Sequence, residues 1–164
     1  MAMGLRCCLI AIGLVPLISA AATPAMAPLS ARADSIRVDK SERRMELLRD
    51  GKAIRRYKIR LGDAPAGHKR QQGDEKTPEG DYRISGRNPN SRFHLSLRVS
   101  YPNDADRRQA RVRGVDPGGD IFIHGGSVAV YPSDWTDGCI AVTNEEIEEI
   151  WSLVPTGTAI RIDP

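Results

Sequence analysis

Two residues of the C-terminal half, Cys139 and His124, have side chains suited to nucleophilic chemistry. A cysteine attacks carbonyl carbon as its thiolate, and a neighbouring imidazole accepts the thiol proton and stabilises the resulting anion. Fourteen residues separate the two in the sequence. His124 precedes Gly125, and Cys139 follows Gly138, where a glycine permits a sharp turn. We predict a cysteine and histidine site in which main-chain N–H groups near Cys139 bind a developing oxyanion.

Taken alone, these residues also have simpler interpretations. A lone cysteine is more often a small buried apolar residue than a nucleophile, and a histidine at a strand end is usually structural. His68 and His94 fit that structural description best. His124, Asp137 and Cys139 could supply metal ligands, yet no spacing typical of a metal site occurs. We therefore expect no metal and no cofactor.

The elements that must position this pair are mostly strands. Apolar residues recur at period two in several segments, and Asp50-Gly51 marks a tight hairpin. Residues 62–80 are polar and rich in turn formers, which predicts an ordered surface loop, and residues 102–119 predict a long charged loop. After Cys139, Thr143 begins a capping box that predicts a helix. The expected fold is mainly β, a sandwich or barrel with one helix after the cysteine.

Residues 1–33 predict export rather than structure. Arg6 and Arg32 are the only charged residues among them. Arg6 is followed by an uncharged apolar run, and small residues follow that run. We expect cleavage before Asp34, which leaves residues 34–164 as one exported domain in the periplasm or cell envelope. An uncleaved membrane anchor is the alternative, although the apolar run is short for a spanning helix, which needs about 20 residues.

The charge balance and the cysteine count narrow the function further. The 164 residues carry a net charge of +3, and removal of the predicted signal brings positive and negative charges close to balance. Such a balance gives no basis for nucleic-acid binding, which needs a concentrated basic face. Cys7 and Cys8 lie in the signal, so Cys139 is the one thiol of the mature domain. In an oxidising compartment such a thiol is either buried and inert or kept for its reactivity.

The residues around the pair resemble the catalytic signature of the L,D-transpeptidases, the YkuD-domain family. That signature is His-Gly, a spacer, then Ser or Thr-x-Gly-Cys and an apolar residue, which Thr136, Gly138 and Cys139 match here. Residues 76–82, Lys-Thr-Pro-Glu-Gly-Asp-Tyr, resemble a turn and strand near the start of that domain. The resemblance covers most of residues 34–164 and agrees with a β-rich, exported domain.

The resemblance implies a bacterial cell-wall enzyme, active in peptidoglycan biosynthesis, cell wall organisation and cell shape. Cys139 is then the nucleophile and His124 the general base, with Gly125, Thr136 and Gly138 as candidates for binding substrate or oxyanion. The thiolate attacks the bond after the third residue of a tetrapeptide stem, releases the terminal D-alanine and forms a thioester. An amine of a second stem, a lipoprotein or a D-amino acid resolves it. The resemblance also implies a carbapenem as covalent inhibitor.

Two departures from the family pattern leave the acceptor open. Ala141 stands where many members have an arginine, and Asp137 where some have a histidine. A hydrolase of the same fold, an L,D-carboxypeptidase or an amidase, differs only in that water resolves the thioester. A non-catalytic peptidoglycan-binding module is the third possibility. A module would have an ordinary cysteine, whereas for an enzyme we expect a thiol pKa well below the free value of about 8.5.

Overall fold

The described part of the chain folds into eight strands and two helices. The computed structural model describes residues 22–126 and 133–164. The apolar run of the predicted signal, as far as residue 21, lies outside these described residues. A short 3₁₀ turn at Leu29–Ala31 comes first. The strands are β1 (Ser35–Asp39), β2 (Arg44–Arg49), β3 (Lys52–Lys58), β4 (Gly80–Ser91), β5 (His94–Val99), β6 (Phe122–His124), β7 (Ile140–Ala141) and β8 (Ala159–Asp163). The helices are α1 (Asp104–Arg113) and α2 (Asn144–Leu153).

The strands form one continuous hydrogen-bonded series in the order β3-β2-β1-β8-β4-β5-β6-β7. The long strand β4 serves both halves, because residues 80–83 pair with β8 and the remainder pairs with β5. Two isolated bridges, Arg60 with Ala141 and Gly62 with Thr136, place the chain after β3 beside β7. The last strand of the series, β7, therefore lies next to the segment that follows its first strand, β3. The predicted mainly β sandwich or barrel is confirmed.

The period-two pattern of the sequence places one face of each central strand in the core. Ile36 and Val38 of β1 are 1% and 0% exposed, and their neighbours Ser35 and Arg37 face outward or lie at the edge. The hairpin between β2 and β3 turns at Asp50 and Gly51, whose φ angles of 51° and 71° belong to the left-handed region that tight hairpins use. Other fully buried core side chains are Met45, Leu47, Ile59, Leu61, Ile84, Leu97, Ile121, Ile123, Ile140, Ile147 and Ile150.

The prediction of a long loop over residues 102–119 is wrong, because α1 lies within it. The Asn103 side chain caps this helix by accepting hydrogen bonds from N–H groups of the first turn at 2.9 and 3.1 Å. Gly114, with a φ of 69°, ends it. Ala110 is the one apolar side chain that this helix buries, and Val112 is 88% exposed. Without an apolar stripe, hydrophobic periodicity gives no sign of such a helix.

The helix predicted after the cysteine is confirmed as α2. Thr143 and Glu146 form the capping box, with Glu146 N–H donating to Thr143 Oγ1 at 3.1 Å and Thr143 N–H donating to Glu146 Oε2 at 2.8 Å. Ile147, Ile150 and Trp151 are buried against β5 and β6, so Trp151 is a core residue as its helical position predicts. No helix within residues 22–126 and 133–164 is long and apolar enough to cross a membrane.

Candidate active site

The histidine and the cysteine come from two strands that pair in parallel. His124 is the last residue of β6, and Cys139 directly precedes β7. The register pairs His124 with Ala141. Because residues two apart along a strand point to the same face, Cys139 faces the same side of the sheet as Ala141 and its partner His124. Both side chains line one cleft of about 670 Å³.

Thr136 and Gly138 hold the turn that presents the cysteine. Thr136 Oγ1 donates to the Cys139 carbonyl at 2.8 Å and accepts from the Gly138 N–H at 3.2 Å. Gly138 has a φ of 113°, and a Cβ there would lie 2.4 Å from the Lys76 carbonyl oxygen. Thr77 Oγ1 also donates to the Gly138 carbonyl at 2.9 Å. These bonds give Thr136 and Gly138 a positioning role, and their predicted contact with substrate or oxyanion stays a prediction.

Gly125 fixes the histidine. A Cβ at Gly125 would lie 2.7 Å from Asn144 Oδ1 and 2.9 Å from the Phe93 carbonyl oxygen, so the close packing around this residue excludes a side chain. Its carbonyl oxygen lies 2.6 Å from His124 Nδ1. Since a carbonyl only accepts, Nδ1 carries the hydrogen and Nε2 of the neutral ring is left as the basic nitrogen. Burial of the ring lowers the pKa of His124, and the Gly125 hydrogen bond opposes that shift.

Two aromatic side chains enclose the imidazole. Phe93 stacks on His124 with ring centroids 4.5 Å apart and planes 24° apart. Trp135 meets His124 edge-on at a centroid distance of 5.6 Å. His124 is consequently 3% exposed, which accounts for its desolvation. The two rings hold the imidazole in one orientation, a condition for accepting a proton from a fixed donor.

The predicted loop 62–80 forms one wall of the cleft. Asp74 organises it by accepting hydrogen bonds from three backbone N–H groups at 2.7 to 3.2 Å and from Lys69 Nζ at 2.8 Å. Lys69 is 3% exposed, and it lines the cleft with Cys139. Sequence reasoning missed both residues, since neither belongs to a motif and a polar loop gives no sign of a buried cation.

The cysteine is held as a neutral thiol in the ligand-free protein. Burial, together with the Asp137 and Asp120 carboxylates, raises the pKa of Cys139 to about 11, while the Phe122 N–H and the Lys69 ammonium oppose this rise. Cys139 Sγ lies 3.5 Å from the Asp120 carbonyl oxygen, a contact that a thiol proton satisfies. The expected low pKa is therefore wrong for the free protein.

This protonation state predicts how alkylation of Cys139 depends on pH. Iodoacetamide reacts with the thiolate, whose fraction below the pKa rises about tenfold for each pH unit. With a pKa of about 11, we expect the alkylation rate of Cys139 to climb between about pH 7 and pH 10 without a plateau. Peptide-level mass spectrometry separates Cys139 from Cys7 and Cys8. A control peptide thiol levels off near its own pKa of about 8.5. A Cys139 plateau below about pH 8 contradicts the neutral state.

The cleft wall is mostly polar. Its lining includes Lys69, Gln72, Asn88, Asn90, Arg92, Asp120 and Asp137, together with the aromatic pair that encloses His124. Within the described parts of the chain, no three His, Cys, Asp or Glu side chains are placed to hold a metal ion. His68 and His94 lie apart from this lining. His68 accepts from the Glu79 N–H and pairs with Asp106, and His94 pairs with Glu148.

Comparison with known proteins shows the family of this chain. The family model described as YkuD, L,D-transpeptidase catalytic domain, matches residues 33–162. The Escherichia coli K12 protein named "Putative L,D-transpeptidase YafK" is 34% identical over 110 residues, which cover 66% of this chain and 39% of that protein.

Two solved structures share the fold. The helical cell shape determining protein Pgp2 from Campylobacter jejuni superposes with a TM-score of 0.61 at 26% identity, over 79% of this chain and 48% of that one. Bd1075 from Bdellovibrio bacteriovorus gives 0.63 at 26% identity, over 86% and 51%. The chain thus spans about two fifths of YafK and about half of each structure. The match over residues 33–162 shows that the chain belongs to the YkuD family of L,D-transpeptidase catalytic domains.

Proposed function

We propose that the chain is a peptidoglycan L,D-transpeptidase in which Cys139 is the nucleophile and His124 the general base. One observation carries the proposal. The two side chains line one cleft from paired strands, and the Gly125 carbonyl leaves Nε2 of His124 as the nitrogen that accepts a proton. Family membership supports a stem peptide as the substrate.

The proposed reaction is two acyl transfers through one thioester. As Cys139 Sγ bonds to the carbonyl carbon of the third stem residue, its proton passes to Nε2 of His124. The imidazolium gives this proton to the departing amine of D-alanine as the C–N bond breaks. An acceptor amine then attacks the thioester and loses a proton to His124. Sγ leaves as a thiolate and is reprotonated, which restores the starting pair.

The neutral resting pair fits this sequence of proton transfers. Burial raises the pKa of Cys139 and lowers that of His124, so both groups start uncharged. Charge develops only when the sulfur attacks, and the Lys69 ammonium and the Phe122 N–H are then the groups that favour a negative sulfur. A thiol that stays neutral until substrate arrives is also protected from oxidation, which attacks the thiolate.

A hydrolase of the same fold is the second candidate. The observation in its favour concerns Ala141, which the strand register pairs with His124. Many members of the family have an arginine at the position of Ala141. Ala141 is 3% exposed and also bonds through its backbone to Arg60. If an arginine at this position serves the acceptor or a stem carboxylate, its replacement by a methyl group favours water as the acceptor.

Product analysis separates these candidates. The purified full chain is incubated with a disaccharide-tetrapeptide, once without and once with an added D-amino acid, and the products are identified by mass spectrometry. We expect a crosslinked dimer or exchange of D-alanine for the added D-amino acid, with both lost in Cys139→Ala. A shortened monomer alone indicates the hydrolase. An unchanged substrate contradicts both candidates and favours the binding module.

A carbapenem should modify the protein covalently. Its strained lactam carbonyl is an acyl donor like the stem peptide bond, but the opened ring stays attached, so the thioester does not release a small amine. We expect the intact mass to rise by the mass of one carbapenem and the label to lie on Cys139. Cys139→Ala should keep its mass. An unmodified wild-type protein after long incubation would count strongly against the proposed nucleophile.

The proposed site of action is outside the cytoplasm, in the periplasm or cell envelope. This part of the proposal rests on the export pattern of residues 1–33 and on the peptidoglycan chemistry of the family. Stem peptides, with a lipoprotein or a D-amino acid as possible acceptor, are its proposed partners.

A further inference from the structure

Residues 26–33 lie against the folded domain just before β1. We call them the N-terminal strap. Two main-chain N–H groups of the strap donate to α2: Ala27 to the Ser152 carbonyl at 2.8 Å and Ala33 to the Leu153 carbonyl at 2.9 Å. The family match begins at residue 33, so nearly all of the strap lies outside it.

The strap satisfies carbonyl groups that the end of α2 exposes. The last four carbonyls of an α-helix have no partner inside the helix. After α2 the chain turns to an extended conformation at Val154, with a φ of −113° and no glycine cap. The strap donates to the carbonyls of Ser152 and Leu153, and Arg87 donates to those of Trp151 and Val154 at 2.8 and 3.0 Å. Removing the strap therefore removes half of these donors.

Side chains also anchor the strap. Ala33 is 4% exposed and belongs to the hydrophobic core. Arg49 Nη1 donates to the carbonyls of Leu29 and Arg32 at 2.7 and 3.1 Å, and Arg32 Nε donates to the Ala27 carbonyl at 2.7 Å. Residues 28–31 of the strap are exposed, but its hydrogen bonds and the buried Ala33 tie both of its ends to the domain.

We infer that the leader is removed upstream of the strap, at the Ala20–Ala22 segment after Ala21 or Ala22, and not before Asp34. The inference rests on the proposed export. Signal peptidase hydrolyses one peptide bond after small residues at the last and third-last positions. Cleavage before Asp34 removes the whole strap. Cleavage after Ala27 removes one of the two donors and leaves Pro28 at the new terminus, whereas cleavage within Ala20–Ala22 keeps the strap complete.

Replacing either of two alanines by aspartate in the full chain distinguishes these cleavage sites. Ala31 and Ala33 hold the third-last and last positions before Asp34, yet Ala31 is exposed and Ala33 is buried. After expression with export, we expect Ala31→Asp and Ala33→Asp to be processed like the wild type, with a mature N-terminus at Ala22 or Thr23. Only Ala33→Asp should lower the Tm, by about 5 °C or more, because it buries a charge.

A third variant tests the inferred site itself. Changing Ala20, Ala21 and Ala22 together to aspartate should stop processing, since every bond of this segment then follows a charged residue. A mature N-terminus at Pro28 or Asp34 overturns the inference, and so does blocked processing of Ala31→Asp or a wild-type Tm for Ala33→Asp. A wild-type chain that is exported but never cleaved also overturns it. The stem-peptide assay on the same preparation reports separately on the proposed function.

Discussion

Cys139→Ala is expected to abolish the proposed turnover of peptidoglycan stem peptides, because it removes the sulfur atom of the proposed thioester. Cys139 is the only free cysteine in the described parts of the chain, so no second thiol is placed to replace it. His124→Asn should lower kcat/KM by about 10²- to 10⁴-fold, the usual loss when a general base is removed. Release of D-alanine from a tetrapeptide, followed by mass spectrometry, measures both effects.

The fold should survive both substitutions. Cys139 is partly exposed at the cleft, and alanine there leaves no large internal cavity. Asparagine at position 124 keeps most of the volume between Phe93 and Trp135. We expect far-ultraviolet circular dichroism like that of the wild type for both proteins. D-alanine release by folded Cys139→Ala contradicts the assignment of the nucleophile.

Gly138→Ala is expected to lower both stability and activity, because it acts on the turn that holds Cys139. The φ of 113° is strained for any residue with a Cβ, and the new Cβ would lie 2.4 Å from the Lys76 carbonyl oxygen. We expect the free energy of unfolding to fall by about 3 kcal/mol or more, as for other overpacked buried sites. Activity should fall by about 10²-fold in the protein that still folds, since small displacements of a reacting atom have effects of that size.

Gly73→Ala is the matched control for that substitution. Gly73 also has a positive φ, 75°, and also belongs to the wall of the cleft, but no atom lies within 4 Å of its added Cβ. It therefore bears the backbone strain alone, about 1 kcal/mol, without the collision. Urea unfolding of the two variants gives the comparison. Equal losses of unfolding free energy in the two variants would show that the contact with Lys76 does not contribute to the loss at Gly138.

The sequence contains most of what is needed to predict the strands and the helix after the cysteine. Ile36 and Val38 alternate with polar neighbours, Asp50-Gly51 has the backbone preference of a hairpin, and Thr143 begins a capping box. Each of these signals acts between residues close in the chain, so it can be recognised without knowledge of the fold. Predicting that His124 and Cys139 lie together requires the family resemblance as well, because fourteen residues separate them in the sequence and only the fold pairs their strands.

Helix α1 has local signals at its ends, the Asn103 cap and Gly114, but it has no apolar stripe, so hydrophobic periodicity does not reveal it. Other features depend on contacts between distant segments. Lys69 lies in a polar loop, yet tertiary packing buries it in the cleft wall. The nucleophilic chemistry predicted for Cys139 implies a low pKa for its thiol. Burial and the nearby carboxylates of Asp120 and Asp137 raise it instead, and only the folded arrangement brings these groups together.

The most direct test of the central claim is detection of the acyl-enzyme itself. The full chain is mixed with a disaccharide-tetrapeptide, quenched in acid within the first turnovers and measured by intact and peptide-level mass spectrometry. We predict a mass increase equal to the disaccharide-tripeptide acyl group, located on Cys139 and absent from Cys139→Ala. The adduct should disappear when a D-amino acid is added before the quench. Substrate consumption by the wild type with an unmodified Cys139, or an adduct on another residue, would contradict the account.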